Sequence, residues 1–229
     1  MMYFNGHEKT SFIDYPDKIS TVLFTAGCNF KCPYCHNSEL LYDNGYKIKE
    51  EEILKFLEKR KKFIDGVCLS GGEVTLQKDI YDFLIKVKRF DYLTKLDTNG
   101  TNPKLIKKLL DNNLLDYIAM DIKAPFNKYK KIVNTDVDIE NIKESIEIIK
   151  NSNIDYEFRT TICKELITKE DILNISTFLK GSKSYTIQNF KDGDGVLEGK
   201  GKFTPYKRKE LEEIKEKIKN NFDNFKLRY

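Results

Sequence analysis

Six times along the 229-residue chain an apolar, strand-like run is followed by a polar loop and an amphipathic helical pattern, and this order restricts the fold more than any other feature. The strand-like runs are STVLFTAG (20–27), DGVCLSGGE, YLTKLDTNG, DYIAMDIKAP, IDYEFRTTIC and KSYTIQNF. Between them lie KIKEEEILKFLEKRKKF, with Ile53, Phe56 and Leu57 on one face, and a stretch with Ile80, Phe83, Leu84 and Val87. NPKLIKKLLDNN follows, with Asn102 placed to cap and Pro103 at the first helical position. Ile139, Ile142, Ile146 and Ile149 then recur at helical spacing, and a further helix is expected over about 169–180. Such alternation implies a parallel sheet joined by helical crossovers, which is the α/β class. Six units suit an incomplete (β/α)6 barrel, open at its side, better than a closed eight-unit one; an open doubly wound sheet is the competing topology. All five prolines fall in loops or at a helix start. Residues 191–205 read as a Gly-rich loop, 206–221 as a charged helix and FKLRY as a short last strand. The chain is expected to form one domain, 1–229, with a core over about 18–190 and a C-terminal helix and tail over 191–229.

Forty basic against 36 acidic residues leave a net charge of +4, and the lysines are scattered over many helical patterns, which argues against a charge-driven nucleic-acid binder. The N-terminal stretch lacks the apolar core of a secretory signal, and no segment nears 18 uninterrupted apolar residues, so a cytoplasmic protein with no membrane partner is expected. The five cysteines are then expected to be reduced thiols, available to a metal or to chemistry.

Three of them, Cys28, Cys32 and Cys35, stand in CNFKCPYCHN directly after the first strand, at the end of the sheet where α/β folds build their sites. Thiolates select zinc, copper(I) or iron-sulfur clusters. A structural zinc site wants four ligands, and His36 is the nominal fourth, although adjacent residues rarely converge on one tetrahedral ion. Three thiolates on a cubane cluster instead leave one iron open to a substrate. Both readings stand on the cysteines alone.

The ends of the other strands carry polar groups. SGGE (70–73) ends the second strand, its Gly71 and Gly72 allowing close approach to the backbone and its Glu73 offering a carboxylate to a cation. Asp97 and Thr98 end the third, Asp121 and Lys123 the fourth; Arg159 lies near the end of the fifth and Gln188 of the sixth. Singly, these motifs pass as turns or a surface pair; together they mark one edge of the sheet.

CNFKCPYC, with Tyr34 before its last cysteine, resembles the signature loop of the radical S-adenosylmethionine (SAM) enzymes, and SGGE matches their glycine-rich strand. SFIDYPDKISTVLFTAGCNFKCPYCHN, SGGEVTLQ, LDTNG and MDIKAP further resemble the glycyl-radical-enzyme activating proteins, especially those that activate anaerobic ribonucleotide reductase. The likeness covers most of residues 6–190, with Val74 standing where many relatives carry proline. It implies a TIM-like partial barrel in which Cys28, Cys32 and Cys35 hold a [4Fe-4S] cluster whose open iron takes the amino and carboxylate groups of SAM. Glu73 and the Gly71–Gly72 backbone would receive the ammonium group, Lys123 and Arg159 the carboxylate or ribose, and Tyr34 would lie near the adenine. Asp97, Thr98 and Asp121 would form a polar wall or a small monovalent-cation site, and Gln188 would belong to the SAM site as well.

The implied reaction is one-electron cleavage of SAM to methionine and a 5'-deoxyadenosyl radical that takes hydrogen from a glycine of a partner glycyl radical enzyme. It needs a low-potential donor such as ferredoxin or flavodoxin and no acid or base. Two readings compete: a small-molecule enzyme similar to 7-carboxy-7-deazaguanine synthase, and a zinc or redox-sensing protein. Cys68 reads as a core residue, Cys163 as an unliganded thiol, His7 as a solvated turn residue and His36 as a side chain that shapes the cysteine loop.

Overall fold

The computed structural model describes residues 1–43 and 45–229. Its strands are β1 (Tyr3–Phe4), β2 (Gly6–Ser11), β3 (Ser20–Thr25), β4 (Ile48–Lys49), β5 (Gly66–Gly71), β6 (Leu93–Thr98), β7 (Tyr117–Asp121), β8 (Asp155–Ile162), β9 (Ser184–Asn189) and β10 (Asn224–Arg228). Its helices are α1 (Glu50–Arg60), α2 (Ile80–Lys88), α3 (Pro103–Asp111), α4 (Tyr129–Val133), α5 (Ile139–Lys150), α6 (Lys169–Phe178) and α7 (Arg208–Ile218). β1 and β4 form a small antiparallel pair, and the other strands form one sheet in the order β10-β9-β8-β7-β6-β5-β3-β2. From β3 to β10 neighbours are parallel; only β2 runs antiparallel, against β3.

This order never reverses, so the chain winds in one direction and the doubly wound alternative falls away. Right-handed crossovers then put the helices on one face of the sheet. The outermost strands, β2 and β10, do not pair with each other, so the barrel stays open.

Side chains alternate across the strands. Leu23, Leu69, Leu96, Met120, Phe158 and Ile187 point to the outer face and form one core with helix residues such as Ile53, Phe83, Ile106, Ile142 and Ile172. The capping read from the sequence is present in α3, where the Asn102 side chain accepts from the Leu105 N–H at 3.2 Å ahead of Pro103. In α6 the Thr168 hydroxyl accepts from the Asp171 N–H, and the Asp171 carboxylate from the Thr168 N–H. α7 buries Leu211, Ile214 and Ile218 and leads to β10, the expected last strand, which adds in parallel to β9.

The N-terminal stretch was not expected to contribute strands. GHEKTS carries no apolar period, yet it pairs as β2, and Met2 and Phe4 beside it are buried. His7 is accordingly no solvated turn residue: it lies in β2, half-buried, with Nε2 2.8 Å from the Thr21 hydroxyl and its ring edge-on to Phe56. Among the described residues no helix is long and apolar enough to cross a membrane.

Candidate active site

The cysteine loop leaves β3 through Gly27, whose φ of +93° suits glycine, and whose N–H donates to the Leu40 carbonyl at 2.8 Å. Distant parts of the chain fix the loop. Lys31 N–H donates to the Val133 carbonyl at the end of α4, and Phe30 packs edge-on against Tyr129. The Asn99 amide donates to the Asn29 side chain at 2.8 Å, while the Asn29 amide donates to the Thr101 hydroxyl at 2.9 Å. Across the outside, the 191–205 loop lies on it: Leu197 and Glu198 N–H groups donate to the Cys35 and Pro33 carbonyls, and the Ser38 hydroxyl donates to the Gly195 carbonyl.

Gly71 and Gly72 stand at the end of β5 against the root of this loop. A Cβ on Gly71 would lie 2.3 Å from the Thr25 carbonyl oxygen, and one on Gly72 would lie 2.2 Å from that of Gly27. Gly72 and Glu73 N–H groups donate to those same two carbonyls. The glycine pair therefore admits the protein's own backbone, and it seats the cysteine loop on β5.

Glu73 is 1% exposed. Its carboxylate accepts from the Thr75 N–H (3.0 Å) and hydroxyl (2.5 Å), from the Thr98 hydroxyl (2.7 Å) and from the Asn99 N–H (2.6 Å). Three of these donors fall on Oε1 and one, the Asn99 N–H, on Oε2. Burial raises the Glu73 carboxyl above its ordinary value, against the lowering effect of these bonds. Glu73 thus braces the ends of β5 and β6 together.

A row of charges forms the opposite wall, on the inner face of the sheet. Lys95 pairs with Asp97; Arg159 reaches Asp97 with Nη1 at 3.5 Å and Asp121 with Nε at 2.8 Å; Lys123 Nζ lies 3.0 Å from Asp121. Burial by itself would raise both carboxyls, but the Arg159 charge, with Lys95 on Asp97 and Lys123 on Asp121, holds each below its ordinary range. Burial opposes the charged forms of Lys123 and Arg159 as well, and the carboxylates overcome it in both. Three protein cations thus meet the two carboxylates between which a small monovalent cation is expected from the sequence.

Cys28, Cys32 and Cys35 face this wall across a cavity of about 340 Å³. Tyr34, Gly71, Gly72, Glu73, Asp97, Thr98, Asp121, Lys123, Arg159 and Gln188 line it as well, so all thirteen residues singled out in the sequence come together. Cys68 and Cys163 are buried elsewhere, Cys68 beside Tyr15 and Val22. Ser70, Asn99, Thr161 and His36 also line the cavity without having been assigned to a ligand; Ser70 and Asn99 lie inside or next to motifs already noticed. Lys95 was missed too, although its i,i+2 spacing from Asp97 puts it on the same face of β6. A second cavity of about 730 Å³ shares His36, Arg159, Thr161 and Gln188 with the first and runs out to Ile13 and Asp14 on one side and Arg228 and Tyr229 on the other. It lies between the two unpaired edges of the sheet.

The family model of the Radical SAM superfamily matches residues 22–179, more than half of the chain. The chain belongs to the radical SAM superfamily. Within it, this radical SAM protein is 39% identical over 229 residues to a Methanocaldococcus jannaschii protein named provisionally as a glycyl-radical enzyme activating enzyme, covering 98% of this chain and 95% of the relative. It is therefore an enzyme of that activating family. The pyruvate formate-lyase-activating enzyme of Clostridium pasteurianum is 29% identical over 184 residues, 77% of this chain and 76% of its own. The crystal structure of Streptococcus suis SuiB bound to S-adenosylmethionine has a TM-score of 0.67 at 17% identity. That match covers 91% of this chain and 52% of SuiB, so this chain spans about half the length of SuiB and the likeness is one of fold.

The superfamily implies a [4Fe-4S] cluster and SAM, and the residues present fit both. Three soft thiols share one rim of the cavity. The Tyr34 hydroxyl beside them is buried without a hydrogen-bond partner among the described residues, and the wall opposite presents two cations, Lys123 and Arg159, to a carboxylate.

Proposed function

We propose that this enzyme takes hydrogen from one glycine of a separate glycyl radical enzyme, using SAM as the source of the abstracting radical. Cys28, Cys32 and Cys35 would hold the [4Fe-4S] cluster, which when bound and reduced supplies the electron that splits SAM into methionine and a 5'-deoxyadenosyl radical. Burial pushes Cys32 up to about 12 and also raises Cys28, so metal loading must displace protons from these thiols. Arg159 and Lys123, both at the cavity, would take the SAM carboxylate. We assign its ammonium group to the Gly71–Gly72 backbone carbonyls, beside Glu73, whose Oε1 accepts three hydrogen bonds and Oε2 one in bracing the strand ends. The Tyr34 hydroxyl would find its partner on the adenosyl group. Asp97, Thr98 and Asp121 hold the cations and the Glu73 brace in place, and Gln188 borders the exit.

The observation that carries this reading is the second cavity. It leads from the thiol-lined site to a gap between the two sheet edges, an entrance that suits a polypeptide loop. The likeness over nearly the whole chain to the Methanocaldococcus jannaschii relative supports it. A hydrogen atom passes from glycine Cα to a primary alkyl radical, so no side chain must act as acid or base. Holding the reacting atoms at near contact and excluding water are what the protein has to do. The partner we favour is an anaerobic ribonucleotide reductase, with a low-potential ferredoxin or flavodoxin as donor, both on the strength of the sequence motifs. The reduced enzyme and SAM, mixed with candidate reductases, should produce a glycyl doublet in electron paramagnetic resonance. Turnover of a small metabolite with no such signal would replace this reading with a small-molecule radical SAM enzyme.

A further inference from the structure

We propose that Arg159 is a built-in counter-cation, its guanidinium standing between Asp97 and Asp121 where an alkali-metal ion would otherwise join them, so that SAM binding requires no monovalent cation. Two carboxylates on adjacent strands, facing one cavity, demand positive charge between them. β8 places Arg159 directly opposite Asp121 in the β7–β8 register, and Asp97 follows one strand further on. From there the guanidinium touches both: Nε lies 2.8 Å from Asp121 Oδ1 and Nη1 lies 3.5 Å from Asp97 Oδ1.

The remaining oxygens are taken as well. Asp97 Oδ1 also receives Lys95, and Asp97 Oδ2 accepts from the Ser70 hydroxyl at 3.0 Å. Asp121 Oδ2 accepts from Lys123 at 3.0 Å. Every oxygen of the two carboxylates therefore has a donor, whereas an alkali ion needs several oxygens of its own. It would also enter a row in which Lys95, Arg159 and Lys123 already meet both carboxylates. A guanidinium cannot lose its proton in a protein, so the compensation it gives is permanent. Unlike a diffusible ion, it is delivered by the fold.

This inference goes beyond the choice of target and holds whichever molecule gives up the hydrogen. The test is a SAM titration of the cluster-reconstituted enzyme, with sodium and potassium salts replaced by tetramethylammonium chloride at constant ionic strength. The unaltered enzyme should change its SAM affinity by less than about twofold, since screening is held equal. In Arg159→Gln the two carboxylates lose their shared cation. Sodium or potassium should then tighten SAM binding by about tenfold, within the usual range for coupled ligands, and should raise the melting temperature of the metal-free variant. A loss of SAM affinity in the unaltered enzyme when alkali ions are withdrawn overturns the proposal, and this arm needs no variant to fold. A folded Arg159→Gln protein indifferent to alkali ions overturns it too.

Discussion

The two faces of the central sheet are built from alternate residues of the same strands and have opposite chemistry. Leu96, Met120, Phe158 and Ile187 point outward into the helices, while Asp97, Asp121, Arg159 and Gln188, each one residue further on, point inward to the cavity. The outer face is held by non-directional burial, which tolerates exchange of one apolar side chain for another of similar volume. At the cavity the inner face is held by named pairs, in which removing one partner strands the other, while below it Tyr15, Val22 and Cys68 form a small apolar cluster. The difference teaches that stability and ligand binding can be damaged separately here, by substitutions one residue apart.

The largest effect should come from the cysteine rim. Cys28→Ala, Cys32→Ala or Cys35→Ala should abolish iron and sulfide uptake on anaerobic reconstitution, whereas Cys68→Ala and Cys163→Ala should retain it; iron and sulfide analysis reads the result. The outer core should remain folded in the rim variants, which circular dichroism checks.

Phe158→Ala attacks the opposite face. Emptying this fully buried site should cost about 3–5 kcal/mol in denaturant unfolding. The protein that remains folded should keep its SAM affinity. A variant of unchanged stability with weakened SAM binding would reverse the roles given to the two faces.

Glu73→Ala lies between the two cases, because Glu73 lines the cavity yet braces the fold. Its removal strands donors on Thr75, Thr98 and Asn99 and should cost about 3 kcal/mol of stability, with weaker SAM binding as a consequence of the loosened strand ends. Loss of SAM affinity with an unchanged unfolding midpoint would show direct contact with the ligand instead.

The smallest effect is one of pH. The Asp121 carboxyl is depressed in the folded state relative to its unfolded value of about 3.9, so the unfolded chain binds the proton first. The stability it contributes is complete above about pH 4 and fades as pH falls through the folded value. Asp121→Asn should therefore flatten the decline of stability on the acid side of pH 4. An unchanged acid slope in that variant would mean that the Arg159 and Lys123 pairs add nothing to the fold.

Much of this was legible in the sequence because the outer face follows simple periods. Alternating strands and 3.6-residue helices gave the six units, and polar residues at strand ends gave the cavity lining. What stayed hidden depends on contacts that no local pattern carries. β2 is a polar edge strand whose partner alone makes it a strand. The need for glycine at 71 and 72 comes from carbonyls at Thr25 and Gly27, far off in the chain. That Glu73 also braces the ends of β5 and β6 through Thr98 and Asn99 is a contact across strands that no local pattern carries. The 191–205 loop gave no sign that it would clasp the cysteine loop through main-chain bonds at Pro33 and Cys35, because backbone donors look alike in every sequence.

The most direct test of the proposed activity follows the hydrogen itself. A partner reductase prepared with glycine deuterated at Cα should be mixed with the reduced enzyme and SAM, and the 5'-deoxyadenosine recovered and weighed by mass spectrometry. The activator reading expects one deuterium in that product, appearing together with the glycyl radical. Product that carries no deuterium while the partner stays without a radical would contradict it.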